Sequence, residues 1–419
     1  MSADARTAPR PTGRFRTRIL APLASFLNPA GETRVALALL ILVFWFAFSL
    51  PPKWVGVHVA GLALVAAATL ARRTDWRSPA MRTFLVCTVL WLAPVLLTAA
   101  FQNVLNVPTA IAWRELPILT LRMLGVGVGL IVLLQRGWLT LRATMLALLA
   151  ALSIHAVAGL VDFIVTPEAS LVNWRALRIN GLVFNPNPFG MFMALTAVLS
   201  VGFLIRKPRN AALWALLILA LLGIWTSGSR GAILTAAAGM AVLFPPASRR
   251  RLLVYLAGVA LAVAVAPSLM TNDATMAYSD SLRMQIAEFT LAHIRQAPWL
   301  GWGIGAYEHL PGHVVNAPHN MWLDLALSSG IMALAGALAS TGLLAYRLYR
   351  RGGPAARLAL ATLAAAVTAG TLEYSILDST HFRGVWVVLT ALACYTLNPY
   401  VANANRSTSP KAPASPIPT

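Results

Sequence analysis

The chain has 419 residues, 58% hydrophobic and only 11% charged, and its 33 Lys and Arg against 13 Asp and Glu give a net charge of +20. Soluble globular domains carry about 25% charged residues, and apolar runs of helix length recur here from end to end. A disordered chain and a single soluble core are both excluded.

Residues 1–33 are polar and basic (Arg6, Arg10, Arg14, Arg16, Arg18) and show no cleavage pattern, so they are read as a cytoplasmic N-terminal segment. The apolar run from Val35 to Leu50 then reads as a signal anchor. About twelve apolar runs are long enough to cross a bilayer as helices. They fall near 35–51, 54–71, 83–101, 117–134, 143–165, 186–205, 211–227, 231–246, 252–270, 321–346, 358–377 and 384–401. The runs are continuous rather than alternating, which selects helices over a barrel. The expectation is an all-α polytopic membrane domain over 34–402. It is followed by a Ser/Pro/Ala-rich disordered cytoplasmic tail over 403–419. Cys87 and Cys394 lie inside apolar runs and imply no disulfide framework.

Alternate connections are basic: the N-terminus, Arg72–Arg82, Arg136–Arg142, Arg206–Arg209, Arg249–Arg251, Arg347–Arg357 and the tail. They hold 24 of the 33 basic residues with only three acids, Asp4, Glu32 and Asp75. By the positive-inside rule both termini are cytoplasmic. The large positive charge therefore records orientation, and nucleic acid is not an expected partner. Nine basic residues remain for the other side: Lys53, Arg114, Arg122, Arg175, Arg178, Arg230, Arg283, Arg295 and Arg383. Topology does not call for them there, and ionisable groups near membrane depth are functional candidates. For Lys53, Arg114 and Arg295 an ordinary solvated charge is the simpler reading.

One outer connection is long, 271–320, between spans nine and ten. Asp280 or Ser281 can cap a helix running to about Ala297, with Leu282, Ile286 and Phe289 on one face and Arg283 in its first turn. The expectation is an amphipathic helix at the outer membrane surface, followed by Trp299 and Trp302 at interfacial depth. Gly301-Trp-Gly303-Ile-Gly305 lacks the strand and helix of a nucleotide loop and reads as turn chemistry.

Four segments carry the chemistry. Arg178 precedes Asn185-Pro-Asn187-Pro, whose prolines forbid helix interior at the mouth of a span. Ser229-Arg230-Gly231 sits in a connection too short to solvate its guanidinium, a group suited to bidentate phosphate recognition. Arg283 stands on the outer helix. His319-Asn320 lies where the long loop enters span ten, with Asp324 about one turn further on, and an imidazole suits general-base work. Each has a simpler reading as a helix start, a polar turn, a surface charge or a cap. His309, His313 and His319 match no closed zinc spacing and have no thiolate companions, so no metal and no other cofactor is expected. Guanidiniums gathered at the outer interface suit an anion with several oxygens, and a lipid-linked diphosphate carries one at that depth.

At these residues the chain resembles the O-antigen ligase and polymerase superfamily. The resemblance rests on Arg178-x-x-Gly-x-x-x-Asn185-Pro-Asn187, Ser229-Arg230-Gly231, Arg283, Pro298-x-x-Gly301-x-Gly303 and His319-Asn320-x9-Gly330. It implies a metal-independent, inverting glycosyltransferase of the GT-C type with about twelve spans and a periplasmic helical loop. It implies transfer of a polysaccharide from undecaprenyl diphosphate to a lipid A–core hydroxyl, at the periplasmic face of the inner membrane. Carried over by motif, His319 is the general base and Arg178, Arg230 and Arg283 are diphosphate ligands. Asn185, Asn187, Asn320 and His313 are supporting residues. Polymerases and protein O-oligosaccharyltransferases share this layout. A flippase would need basic residues continuing inward, where only Arg122 lies deep. A proton-coupled transporter would need interior acids, and Asp162, Asp324, Glu373 and Asp378 are the ones near membrane depth.

Overall fold

The computed structural model describes residues 75–101, 119–137, 139–165, 185–244, 257–261, 273–313, 318–373 and 380–398, with isolated positions 116, 250 and 253. Among these residues the secondary structure is helical, with no strand. In chain order come α1 (Pro79–Phe101), a π segment (Leu121–Val126) continuing as α2 (Gly127–Gln135), α3 (Leu141–Val165), α4 (Pro186–Leu204) and α5 (Ala211–Ser227). Then follow α6 (Arg230–Leu243), α7 (Asp273–Gln296), α8 (Met321–Arg351), α9 (Gly353–Leu372) and α10 (Thr380–Thr396). Five are long and apolar enough to cross a membrane, within α1, α3, α4, α8 and α9, while α2, α5, α6 and α10 are shorter apolar helices. The runs expected at 35–51 and 54–71, most of 252–270, and the segments 1–33 and 403–419 lie outside the described residues.

Helix ends follow local chemistry. Asn185 caps α4 by accepting from the Asn187 N–H, and Pro186 occupies its first turn. Asn210 caps α5, whose other end closes on Gly228 in the left-handed region (φ 60°). Ser229 caps α6 by accepting from the Ala232 N–H. The core runs through the bundle: α1 packs on α8, α4 on α5 and α6, and α6 on α9. Cys87 and Cys394 are buried free thiols.

The structure corrects two expectations about the outer segment. First, α7 begins at Asp273, not at Asp280 or Ser281. No glycine or proline interrupts 273–280, so the helix propagates through them, and Asp280 and Arg283 are interior residues. Second, its apolar face does not lie open to the membrane surface. Ile286 is buried with Tyr307, Leu310 and Leu327, and Leu282 and Phe289 pack against the same cluster. The face is covered by the following loop and by α8. Trp302 belongs to this packing and donates its indole N–H to the His293 carbonyl at 2.8 Å, whereas Trp299 is exposed.

The expected span at 321–346 is broken inside. Gly330 has φ 76° and ψ 177° within α8. The break frees backbone groups that would be costly in an apolar interior, and the glycine loop satisfies them. The Trp302 and Gly303 N–H groups donate to the Leu327 and Ser328 carbonyls at 2.7 and 2.8 Å, and the Ile331 N–H donates to the Pro298 carbonyl at 2.8 Å. Thr98 of α1 donates to the Ser329 carbonyl at 3.3 Å. A Cβ at Gly330 would lie 1.9 Å from the Trp299 carbonyl oxygen. Gly301, Gly303 and Gly305 all have positive φ, in keeping with the turn reading. The Pro298–Gly303 and Gly330 motifs are thus two halves of one backbone joint, which fixes the start of α8 against the outer loop.

Candidate functional site

The site forms where the start of α8 meets the end of α9. Gly370 lets α9 approach closely, since a Cβ there would lie 2.2 Å from the Met321 sulfur. Asn320 caps α8 by accepting from the Trp322 and Leu323 N–H groups at 2.9 and 3.1 Å. Its amide donates to the Thr371 carbonyl at 2.8 Å, and the Trp322 indole donates to the Thr371 hydroxyl at 2.8 Å. These bonds set His319, just before the cap, beside Glu373, just after Leu372. His319 is the only non-glycine residue with positive φ (51°) among those described. Histidine tolerates that region better than most residues, but the conformation must be held by its surroundings.

His319 Nδ1 lies 3.4 Å from Glu373 Oε1. The other oxygen, Oε2, accepts from Arg283 Nη2 at 2.9 Å. The Glu373 side chain is 4% exposed, while His319 and Arg283 are 37% and 40% exposed. One buried carboxylate therefore orients two partly open cationic or basic groups. Nδ1 faces the carboxylate, which leaves Nε2 as the ring nitrogen for a substrate. Glu373 holds the His319 pKa above its ordinary value, through a side-chain hydrogen bond first and its charge after that. Burial and the Arg283 charge oppose the rise.

The second arginine joins through α7. Both terminal nitrogens of the Arg230 guanidinium donate to the Asp280 carboxylate, Nη1 to Oδ2 at 3.1 Å and Nη2 to Oδ1. Asp280 and Arg283 stand three residues apart on α7 and share a face. The same face thus turns Asp280 to Arg230 and Arg283 to Glu373. The Asp280 pKa is lowered, chiefly by the hydrogen bond from Arg230, with the charges of Arg230 and Arg283 adding to it and burial opposing. Arg230 remains 32% exposed and Asp280 51% exposed, so both arginines can exchange a carboxylate for an incoming anion.

Of the residues singled out by sequence, the structure brings together Arg283 and His319, with Arg230 joined through α7 and Asn320 as the cap. Arg178 lies outside the described residues. Asn185 and Asn187 form the start of α4. His313 bonds the Leu310 carbonyl at 3.0 Å within its own turn. Asp324, expected below His319, is buried in the first turn of α8 and accepts from Ser328 at 3.1 Å. The carboxylate that meets His319 is instead Glu373, because Asn320 turns the chain so that its preceding residue faces α9. Arg295 is exposed at the end of α7, and Arg383 is buried in α10. The roles of Glu373 and Asp280 were missed from sequence. The available sign was their scarcity: few acids stand near the outer ends of apolar runs. Among the described residues no three His, Cys, Asp or Glu side chains gather as a metal site.

Residues 215–338 match the family model described as O-antigen ligase. This segment, 124 of the 419 residues, is what the chain shares with that family. The O-antigen ligase match takes in most of α5, all of α6 and α7, the glycine joint and the first part of α8, and so includes Arg230, Asp280, Arg283, His319 and Gly330. Glu373 lies beyond its end, and Asn185 and Asn187 lie before its start. No curated protein matches the chain.

Proposed function

We propose that the protein is an inverting, metal-independent glycosyltransferase. It moves an O-antigen polysaccharide from undecaprenyl diphosphate to a lipid A–core hydroxyl, at the periplasmic face of the bacterial inner membrane. In this reading residues 34–402 form a GT-C-type domain of about twelve spans, with both termini cytoplasmic. The observation that carries it is the Arg283–Glu373–His319 array, two of whose members lie inside the O-antigen ligase match.

The chemistry follows from the geometry. The donor diphosphate displaces Asp280 and Glu373 from Arg230 and Arg283, which then hold its oxygens; Arg178 is proposed as a third ligand. His319 Nε2 accepts the proton of the acceptor hydroxyl as its oxygen attacks the anomeric carbon. The bond from that carbon to the phosphate oxygen breaks, and its electron pair leaves with the lipid diphosphate. The guanidiniums stabilise the charge that develops there. Glu373 keeps Nδ1–H oriented and stabilises the imidazolium that forms.

The test uses the full chain in lipid nanodiscs with an undecaprenyl-diphosphate glycan and lipid A–core. The expected product is glycosylated lipid A–core, formed in the presence of EDTA. His319→Ala abolishes transfer while retaining donor binding, and Arg230→Ala weakens donor binding. Joining of two donor glycans without lipid A–core identifies a polymerase instead. Retained transfer in His319→Ala refutes the base assignment.

A further inference from the structure

A second feature stands at the opposite end of the bundle. A cavity of about 340 Å³ opens among the ends of α2, α3, α4, α9 and α10. The chain makes this gap by ending and restarting helices at one level. α2 stops at Gln135, Gly137 turns with φ 70°, α3 begins at Leu141, α4 ends at Leu204 and α9 starts at Gly353. The candidate site lies at the other end of α4 and α9. These helices have 19 and 20 residues, so about 30 Å, one hydrocarbon thickness, separates the two places.

The walls are largely apolar, with Met145, Phe203 and Leu358 among them. Tyr395 also lines the cavity, but its hydroxyl is spent on the Leu134 carbonyl at 2.9 Å. Two arginines from different connections line it too, Arg142 and Arg206. Both are exposed, and neither belongs to any ion pair among the described residues. Orientation asks only that basic residues lie on this side; it does not ask two of them to converge on one apolar recess. The nearest turn of α9 enters the recess at Pro354 with no side-chain cap on its N-terminus, which adds to the positive potential.

A recess with greasy walls and two unneutralised guanidiniums at the level of the basic connections selects a ligand with both parts. A soluble anion would leave the apolar walls wet, and a neutral lipid would leave the guanidiniums unpaired. The volume is at the lower end of small-ligand sites, enough for a headgroup and the roots of its chains. We infer that this cavity is a binding site for an anionic phospholipid of the adjoining leaflet, its phosphate held by Arg142 and Arg206. The site is independent of the glycosyl-transfer reading, since it shares no residue with it.

The experiment places the full chain in phosphatidylcholine nanodiscs containing a minor fraction of phosphatidylglycerol, and counts the lipid retained after extraction by native mass spectrometry. The wild-type chain retains phosphatidylglycerol over phosphatidylcholine. Arg142→Gln with Arg206→Gln lowers retention on the order of 10–30-fold. Ala355→Trp, which keeps every charge and fills the recess, lowers it as far. A control pair at the same end but outside the cavity, Arg209→Gln with Arg350→Gln, leaves it unchanged. Monodisperse elution and an unchanged circular dichroism spectrum establish folding of each variant. An equal loss in the control pair, or full retention in folded Ala355→Trp, overturns the site. Equal binding of water-soluble glycerol phosphate overturns the lipid assignment.

Discussion

Glu373→Gln isolates the charge that the array depends on. The amide has nearly the shape of the carboxylate and can still occupy the space between Arg283 and His319, but it carries no charge. The loss should fall on the transition state, in which His319 becomes an imidazolium. At 3.4 Å the attraction between unit charges is about 5 kcal/mol for an effective dielectric of 20, and about 1 kcal/mol in water. His319 is 37% exposed, so solvent screens the pair toward the lower figure. A barrier increase of roughly 1–3 kcal/mol follows, or about 5- to 150-fold in kcat.

The same substitution has a pH signature. Only neutral His319 can accept a proton, so kcat rises with pH through the pKa of His319. Glu373 holds that pKa above its ordinary 6.5. Removing the charge lowers it, and the acidic limb should move to lower pH while the plateau falls. Single-turnover transfer by the full chain, measured across about pH 5 to 9 with saturating donor, reads both effects. Donor affinity should hold or improve, because Arg283 loses an internal competitor. A thermal melt reports any structural cost separately. A folded Glu373→Gln variant with full plateau rate and an unmoved limb would refute the dyad.

Three further outcomes are expected. Asp280→Asn releases Arg230 from a partly exposed bidentate pair worth up to about 1 kcal/mol, so donor titration should show affinity tighter by up to about 5-fold; weaker binding would mean that Asp280 positions Arg230 instead of competing for it. Gly330→Ala forces a Cβ to 1.9 Å from the Trp299 carbonyl oxygen at positive φ, and should cost more than about 2 kcal/mol, read as a lowered melting temperature; an unchanged melt would deny the backbone joint. His313→Cys should react with an impermeant thiol reagent from the periplasm, since Cys87 and Cys394 are buried; labelling only from the cytoplasm would invert the orientation.

Elements set by apolar length were legible in the sequence. The runs expected at 83–101, 186–205 and 211–227 coincide with α1, α4 and α5 to within a few residues, because a helix that buries apolar length against its neighbours ends where that length ends. The Gly330 break was not legible as a break. A single glycine in an apolar run is consistent with a continuous helix, and only the loop that donates to Leu327 and Ser328 makes interruption favourable. The outer helix was misplaced at its start for a related reason. Asp280 has the chemistry of a cap, but a cap is used only where the chain bends, and nothing in 273–280 bends it.

The candidate site divides along the same line. Arginines expected on the outer side stood out because charge there needs a reason, and in the structure Arg230 and Arg283 each meet a carboxylate. Glu373 was visible by the same rule, yet acidity near membrane depth fits a proton path as well as a counter-ion. Composition does not separate those roles. Contact does: the close approach of α9 at Gly370 to Met321, and the Asn320–Thr371 bond, place the end of one helix beside the start of another. A carboxylate at that junction faces His319 with one oxygen and Arg283 with the other. It can orient a base and restrain an arginine only because both lie within reach of one side chain, and that coupling predicts that base strength and donor affinity shift together when its charge is removed.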